Sequence, residues 1–185
     1  SRRQRQMCIR DRDLVVTEDE NLGLEKTTER VAEAAGVFLT SKKEAVYKKN
    51  IFEKLYPAST TKILTAYVAL KNGNLDDVVT VSANAANQAS DSSVCELKEG
   101  DKITLRDLLY GLMLRSGNDA AVAIAEHISG SSEKFVVLMN AEAKALGATG
   151  SHFVTPNGLH DEEHYSTVYD LSLIHISEPT RPEPI

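Results

Sequence analysis

The chain has 185 residues, with 27 Asp and Glu against 21 Lys and Arg and a net charge of −6 at pH 7. An acidic chain with no basic stripe and no interleaved aromatics argues against nucleic-acid binding. The length allows one domain with a sizeable core, or part of a larger one, and no stretch is long and apolar enough to span a membrane.

Residues 1–12, SRRQRQMCIRDR, are basic and without periodicity, and residues 13–33 read as a polar leader or linker. A strand is predicted over 34–40, a turn at Ser41-Lys42-Lys43-Glu44 and a returning strand over 45–48. This is a hairpin without the favoured Asn-Gly turn. Pro57 suits the approach to a helix over 59–70, where Ile63, Leu64, Tyr67, Val68 and Leu70 fall near helical spacing and Asn72-Gly73-Asn74 is the stop. Residues 78–82 read as a short extended segment, 83–94 are small and polar, and Gly100-Asp101 marks a turn. Thr104 is the expected N-cap of a helix over 105–114, with Leu105, Leu108, Leu109 and Leu112 on one stripe. Ser116-Gly117-Asn118 breaks that helix, and an Ala-rich helix follows over 119–128. Gly130-Ser131-Ser132 precedes another helix over 133–146, ended by Gly147. Residues 152–164 are irregular, with a turn at Pro156-Asn157-Gly158. The pattern is a strand pair, then mostly helices.

Read as DNA, the two ends are expected to share an origin. Met7-Cys8-Ile9-Arg10-Asp11 can be encoded by ATGTGTATAAGAGAC, and Leu171-Ser172-Leu173-Ile174-His175 by CTGTCTCTTATACAC. The second is the reverse complement of GTGTATAAGAGACAG, so one short DNA read on opposite strands accounts for both. That DNA resembles the mosaic end of a transposase sequencing adapter. Residues 1–12 and 171–185 are therefore expected to be non-native tails, with a native segment over about 13–170 and a partial domain over 34–170. The first tail holds five Arg and one Asp (+4) and the second one Arg and two Glu (−1), so the net charge without them is −9. Cys8 leaves with its tail, Cys95 remains alone, and no internal disulfide can form.

Ser59-Thr60-Thr61-Lys62 carries the chemistry. A serine and a lysine three residues apart at a helix start lie on one face, within hydrogen-bonding reach. A serine hydroxyl needs a base to become a nucleophile, and Lys62 serves if burial keeps part of it neutral. The helix start favours negative charge developing near Ser59, whose backbone N–H can donate to an oxyanion. The plain alternative is that Ser59 caps the helix while Lys62 points to solvent, and the pattern alone is too short and common to decide. Ser116-Gly117-Asn118 has a similar double reading. Asn118 suits an N-cap, or else Ser116 relays protons beside Ser59 and Lys62 while the Asn118 amide orients Lys62 and binds a substrate carbonyl.

Together the two elements resemble the S-x-x-K and S-x-N motifs of penicillin-binding proteins and β-lactamases. Ser-Gly-Asn, in place of Ser-Asp-Asn, is similar to the low-molecular-mass D-alanyl-D-alanine carboxypeptidases. So are Tyr56-Pro57-Ala58 before the serine, Leu108-Leu109-Tyr110-Gly111-Leu112, Asp119-Ala120-Ala121, and the run from His152 through Thr155-Pro156-Asn157-Gly158-Leu159-His160. The resemblance covers about 34–170. It implies a serine β-lactamase/transpeptidase-like α/β fold, an antiparallel sheet flanked by helices plus a helical subdomain, with the later strands missing. It also implies that Ser59 is the nucleophile, Lys62 its general base, and Ser116 and Asn118 the rest of the proton network. The substrate would be a peptidoglycan stem peptide ending in D-Ala-D-Ala, cleaved through an acyl-serine, with β-lactams acylating the same serine. No metal or organic cofactor and no nucleic acid is implied. The setting is the extracytoplasmic bacterial cell envelope, with any membrane anchor outside this sequence. No Lys-Thr-Gly occurs between 13 and 170, where the family carries that motif on a later strand, so this polypeptide is expected to show little activity.

Two rival readings remain. A β-lactamase is disfavoured by Ser-Gly-Asn and by the lack of a Glu-rich deacylation motif after Asn118. A β-lactam or cell-wall sensor would acylate without turnover. Elsewhere His127 reads as an ordinary helix residue, and His152, His160 and His164 are irregularly spaced without a Cys partner for zinc. Asp76-Asp77 and Asp161-Glu162-Glu163 read as solvated turns, and Cys95 as a small packing residue.

Overall fold

A computed structural model describes residues 32–39, 44–89 and 92–176. Residues 1–12, most of the expected linker, the hairpin turn at 41–43 and residues 177–185 lie outside them. The elements are β1 (Ala35–Leu39), β2 (Glu44–Lys49), a 3-10 turn (Ala58–Thr60), α1 (Thr61–Asn72), β3 (Val78–Thr80), α2 (Ala83–Ala86), β4 (Lys102–Thr104), α3 (Leu105–Leu114), α4 (Asn118–Ser129), α5 (Ser132–Ala145) and α6 (Val168–Ile176). The chain divides into two compact units, one of Ser1–Leu55, Ala143–Ser151 and Ser166–Ile185, the other of Tyr56–Glu142 and His152–Tyr165. Among the described residues no helix is long and apolar enough to cross a membrane.

In the first unit β1 and β2 pair antiparallel, from Ala35 opposite Lys49 to Leu39 opposite Glu44, with a bulge between Val37 and Phe38. Helix α6 packs on β1, and Leu55 and Ser166 exchange backbone hydrogen bonds of 2.9 Å in each direction. Thr167 caps α6 by accepting from the Asp170 N–H at 3.0 Å. Burial raises the Asp170 carboxyl, which accepts from Ser151 Oγ at 2.6 Å. Residues 171–176, which the DNA reading assigns to a tail, continue α6, and Leu173 and Ile174 are buried.

The second unit is built on apolar stripes. Helix α3 begins where the sequence places it, because Thr104 Oγ1 accepts from the Asp107 N–H at 3.1 Å and satisfies an otherwise orphaned donor. Its Leu105, Leu108, Leu109 and Leu112 are all buried. Helix α4 buries small residues, Ala120, Ala121, Ala123 and Ala125, with Ile124, so its backbone can approach α1, α2 and α3 closely. Gly130 ends α4 in the left-handed conformation, φ +80°, where glycine carries no Cβ penalty. A short strand just after the turn at Gly100-Asp101, β4, pairs antiparallel with β3 and leads into α3.

Candidate active site

The serine sits on a constrained turn. Pro57 precedes the 3-10 turn, Thr60 N–H and Thr60 Oγ1 both donate to the Pro57 carbonyl, at 3.1 and 2.5 Å, and α1 starts at Thr61. Ala58 takes φ +47°, a region that costs a non-glycine residue about 1–2 kcal/mol. Its conformation turns its carbonyl against Gly158, where an added Cβ would collide with Ala58 O. Gly158 itself has φ +84°. Only glycine permits both the backbone angle and that approach.

Ser59 is exposed while Lys62, one helical turn on, is 3% exposed. The Lys62 amine donates to Ser59 Oγ at 3.1 Å and to the Asn157 carbonyl at 2.9 Å. Burial pushes the amine down from 10.5 to about 8. At pH 7 roughly a tenth of the chains then carry it neutral, several hundred-fold more than for an exposed lysine. In the neutral state the Asn157 carbonyl, which only accepts, engages an N–H and leaves the lone pair to the Ser59 hydroxyl.

Ser116, half-buried, adopts φ +56° two residues before α4. Gly117 is the N-cap and makes no side-chain cap bond, and Asn118 is the first helical residue, buried. Asn118 is thus not the cap that the plain reading of its sequence expects. Two contacts fix this loop: the Asn118 N–H donates to Ser93 O at 2.8 Å, and the buried Asp119 carboxylate accepts from the Cys95, Leu97 and Ala120 N–H groups at 2.8–3.0 Å. The Cys95 thiol fills the space that side chains at Gly111 and Gly117 would need. Burial and then the Asp119 charge push that thiol up, so it stays protonated. Helices α1 and α4 pack together, yet among the described residues no hydrogen bond joins the Ser116 or Asn118 side chain to Ser59 or Lys62.

Three participants had no mark in the sequence as site residues: Asn157, whose contribution is a carbonyl; Asp119, a four-bond anchor at the start of α4; and His164. His164 is 1% exposed, faces Thr61 Oγ1 through Nε2 at 2.8 Å, and accepts from Val154 N–H at 3.0 Å through Nδ1. The other histidines go elsewhere. His160 meets the Tyr56 ring edge-on at 4.5 Å, His152 Nδ1 lies 2.6 Å from Glu163 O, and His127 faces Asp77 at 3.3 Å.

Solved structures set the class. The chain superposes on the D-alanyl-D-alanine carboxypeptidase DacD of Francisella tularensis with a TM-score of 0.76 at 35% identity, over 88% of this chain and 39% of that one. It superposes on a serine-to-alanine mutant of the Streptomyces K15 DD-transpeptidase with a TM-score of 0.77 at 34% identity, over 82% and 62%. The fold is that of the DD-peptidases and penicillin-binding proteins, present here as part of the mixed α/β architecture. The peptidase S11 family model, D-alanyl-D-alanine carboxypeptidase, matches residues 25–180, and the chain belongs to that family. Curated relatives include DacF of Bacillus subtilis (strain 168), 40% identical over 156 residues, which are 80% of this chain and 40% of DacF. DacC of Escherichia coli (strain K12) is 46% identical over 134 residues, 68% of this chain and 34% of DacC. The chain spans about two fifths or less of the length of these relatives.

Proposed function

We propose that this chain carries the nucleophile half of a serine-type D-Ala-D-Ala carboxypeptidase of the cell envelope. Neutral Lys62 takes the Ser59 proton as Oγ attacks the carbonyl between the two D-alanines of a peptidoglycan stem peptide. The oxyanion that forms is met by the Ser59 N–H. The C–N bond then breaks, D-alanine leaves with a proton returned from Lys62, and an acyl-serine remains for water to hydrolyse. Ser116 relays protons, and the Asn118 amide orients Lys62 and binds substrate. A β-lactam acylates Ser59 by the same attack, opening its ring instead of releasing an amine.

The observation that carries this reading is the buried Lys62 amine 3.1 Å from an exposed serine hydroxyl. No Lys-Thr-Gly occurs in the 185 residues, so a carboxylate-binding strand would have to come from elsewhere. By the family resemblance the second oxyanion donor lies near that strand, and losing one such donor alone typically slows turnover ~100- to 1,000-fold. The 185-residue chain by itself is therefore slow. The test is D-alanine release from a stem-peptide mimic by the chain extended with a relative's Lys-Thr-Gly segment. Release that Ser59→Ala abolishes supports the proposal; release unaffected by Ser59→Ala overturns it. A single burst of one D-alanine per chain, with the acyl-serine left unhydrolysed, would mark a sensor.

A further inference from the structure

The start of α1 is tied to one strap, residues 154–158, directly from Lys62 and Thr65 and from Thr61 through His164. Lys62 Nζ donates to Asn157 O at 2.9 Å, and Thr65 Oγ1 donates to Pro156 O at 2.6 Å. Thr61 Oγ1 meets the ring of His164, whose other nitrogen accepts from the backbone of the strap. The strap also closes on itself, through Gly158 N–H to Thr155 Oγ1 at 3.1 Å and Leu159 N–H to Asn157 Oδ1 at 3.1 Å. Two of its backbone donors, Val154 N–H at 3.0 Å and Thr155 N–H at 3.3 Å, end on His164 Nδ1.

That geometry fixes the histidine. A nitrogen receiving two N–H groups carries no proton, so in the neutral ring Nε2 is the N–H and donates to Thr61 Oγ1. The edge of the ring packs against Phe153, centroids 5.6 Å apart. We infer that His164, in its Nε2–H tautomer, is a positioning residue for the Lys62 amine, acting through the 154–158 strap. It ties the strap's first backbone donors to the hydroxyl beside Lys62, so that the Asn157 carbonyl stands over the amine and water is kept off it. The importance of this for catalysis rests on the proposed role of Lys62 as base. His164 is itself held neutral, its pKa lowered first by burial and then by His152, with Asp161 acting the other way.

The test is NMR on the 185-residue chain with 15N-labelled histidine and lysine, in wild type, Thr61→Val and His164→Ala. Wild type should show His164 protonated at Nε2 and bare at Nδ1, and Lys62 titrating at about 8 rather than 10.5. Both variants should let water reach the amine, moving its midpoint upward toward 10.5. A wild-type His164 protonated at Nδ1 overturns the inference and leaves the role of Lys62 standing. So does a Lys62 midpoint unmoved in folded Thr61→Val. A wild-type Lys62 that titrates like an exposed lysine sinks the base assignment, and the inference with it. Should His164→Ala fail to fold, the tautomer and the Thr61→Val titration decide.

Discussion

Replacing Lys62 by Met removes the amine from its cradle at nearly constant length. In the folded chain the amine keeps its proton at pH 7 only against desolvation. The interval from 10.5 to about 8 corresponds to about 3 kcal/mol of lost stability. Met removes that cost but leaves the Asn157 carbonyl without its donor, a loss of about 1–3 kcal/mol. At pH 7 Lys62→Met should therefore be between equally stable and about 2 kcal/mol more stable. The pH dependence is sharper. Unfolded Lys62 binds a proton up to 10.5 and folded Lys62 only up to about 8, so between them the unfolded state holds more protons and stability rises with pH. From pH 7 to 10 wild type should gain roughly 2–3 kcal/mol relative to Lys62→Met. Urea unfolding at each pH measures it, the variant cancelling every other group that titrates. A flat difference across the window would refute a desolvated amine.

Three further outcomes follow from the site's supports. Gly158→Ala meets both the φ of +84° and the Ala58 carbonyl, and should cost at least about 2 kcal/mol in urea unfolding; a loss under half of that would mean the two backbones do not meet. Asp119→Ala strips the acceptor from three backbone N–H groups and should cost roughly 2–4 kcal/mol, with faster hydrogen exchange at the Cys95 and Leu97 amides. Unchanged exchange there would contradict the anchor. Unfolded His164 takes its proton near 6.5 and the folded residue only further down, so its contribution is complete above 6.5 and falls as pH drops below. Acid unfolding of His164→Gln should lack that component, and identical profiles would count against it.

The sequence exposed what side-chain chemistry and periodicity mark. Thr104 with its Leu stripe defined α3, and the three-residue spacing of Ser59 and Lys62 was enough to put hydroxyl and amine on one face. What stayed hidden depends on backbone groups and long separations. The Asn157 carbonyl that holds Lys62 lies 95 residues away and has no residue-type signature. Gly158 looked like turn chemistry, although its necessity comes from the Ala58 backbone it touches. His164 was one of three unevenly spaced histidines until its two nitrogens acquired partners. Asn118 was ambiguous for a related reason: a good N-cap residue and a first helical residue differ by one position, and Gly117 took the cap.

The central claim is that Ser59 is a nucleophile activated by Lys62. Its most direct test is acylation by benzylpenicillin of the chain extended with a relative's Lys-Thr-Gly segment, followed by peptide mapping as a function of pH. An adduct is expected on the peptide containing Ser59, forming at a rate that rises through about 8 with the Lys62 midpoint and that collapses in Lys62→Met. An adduct on another residue, or wild-type labelling in Lys62→Met, would contradict it.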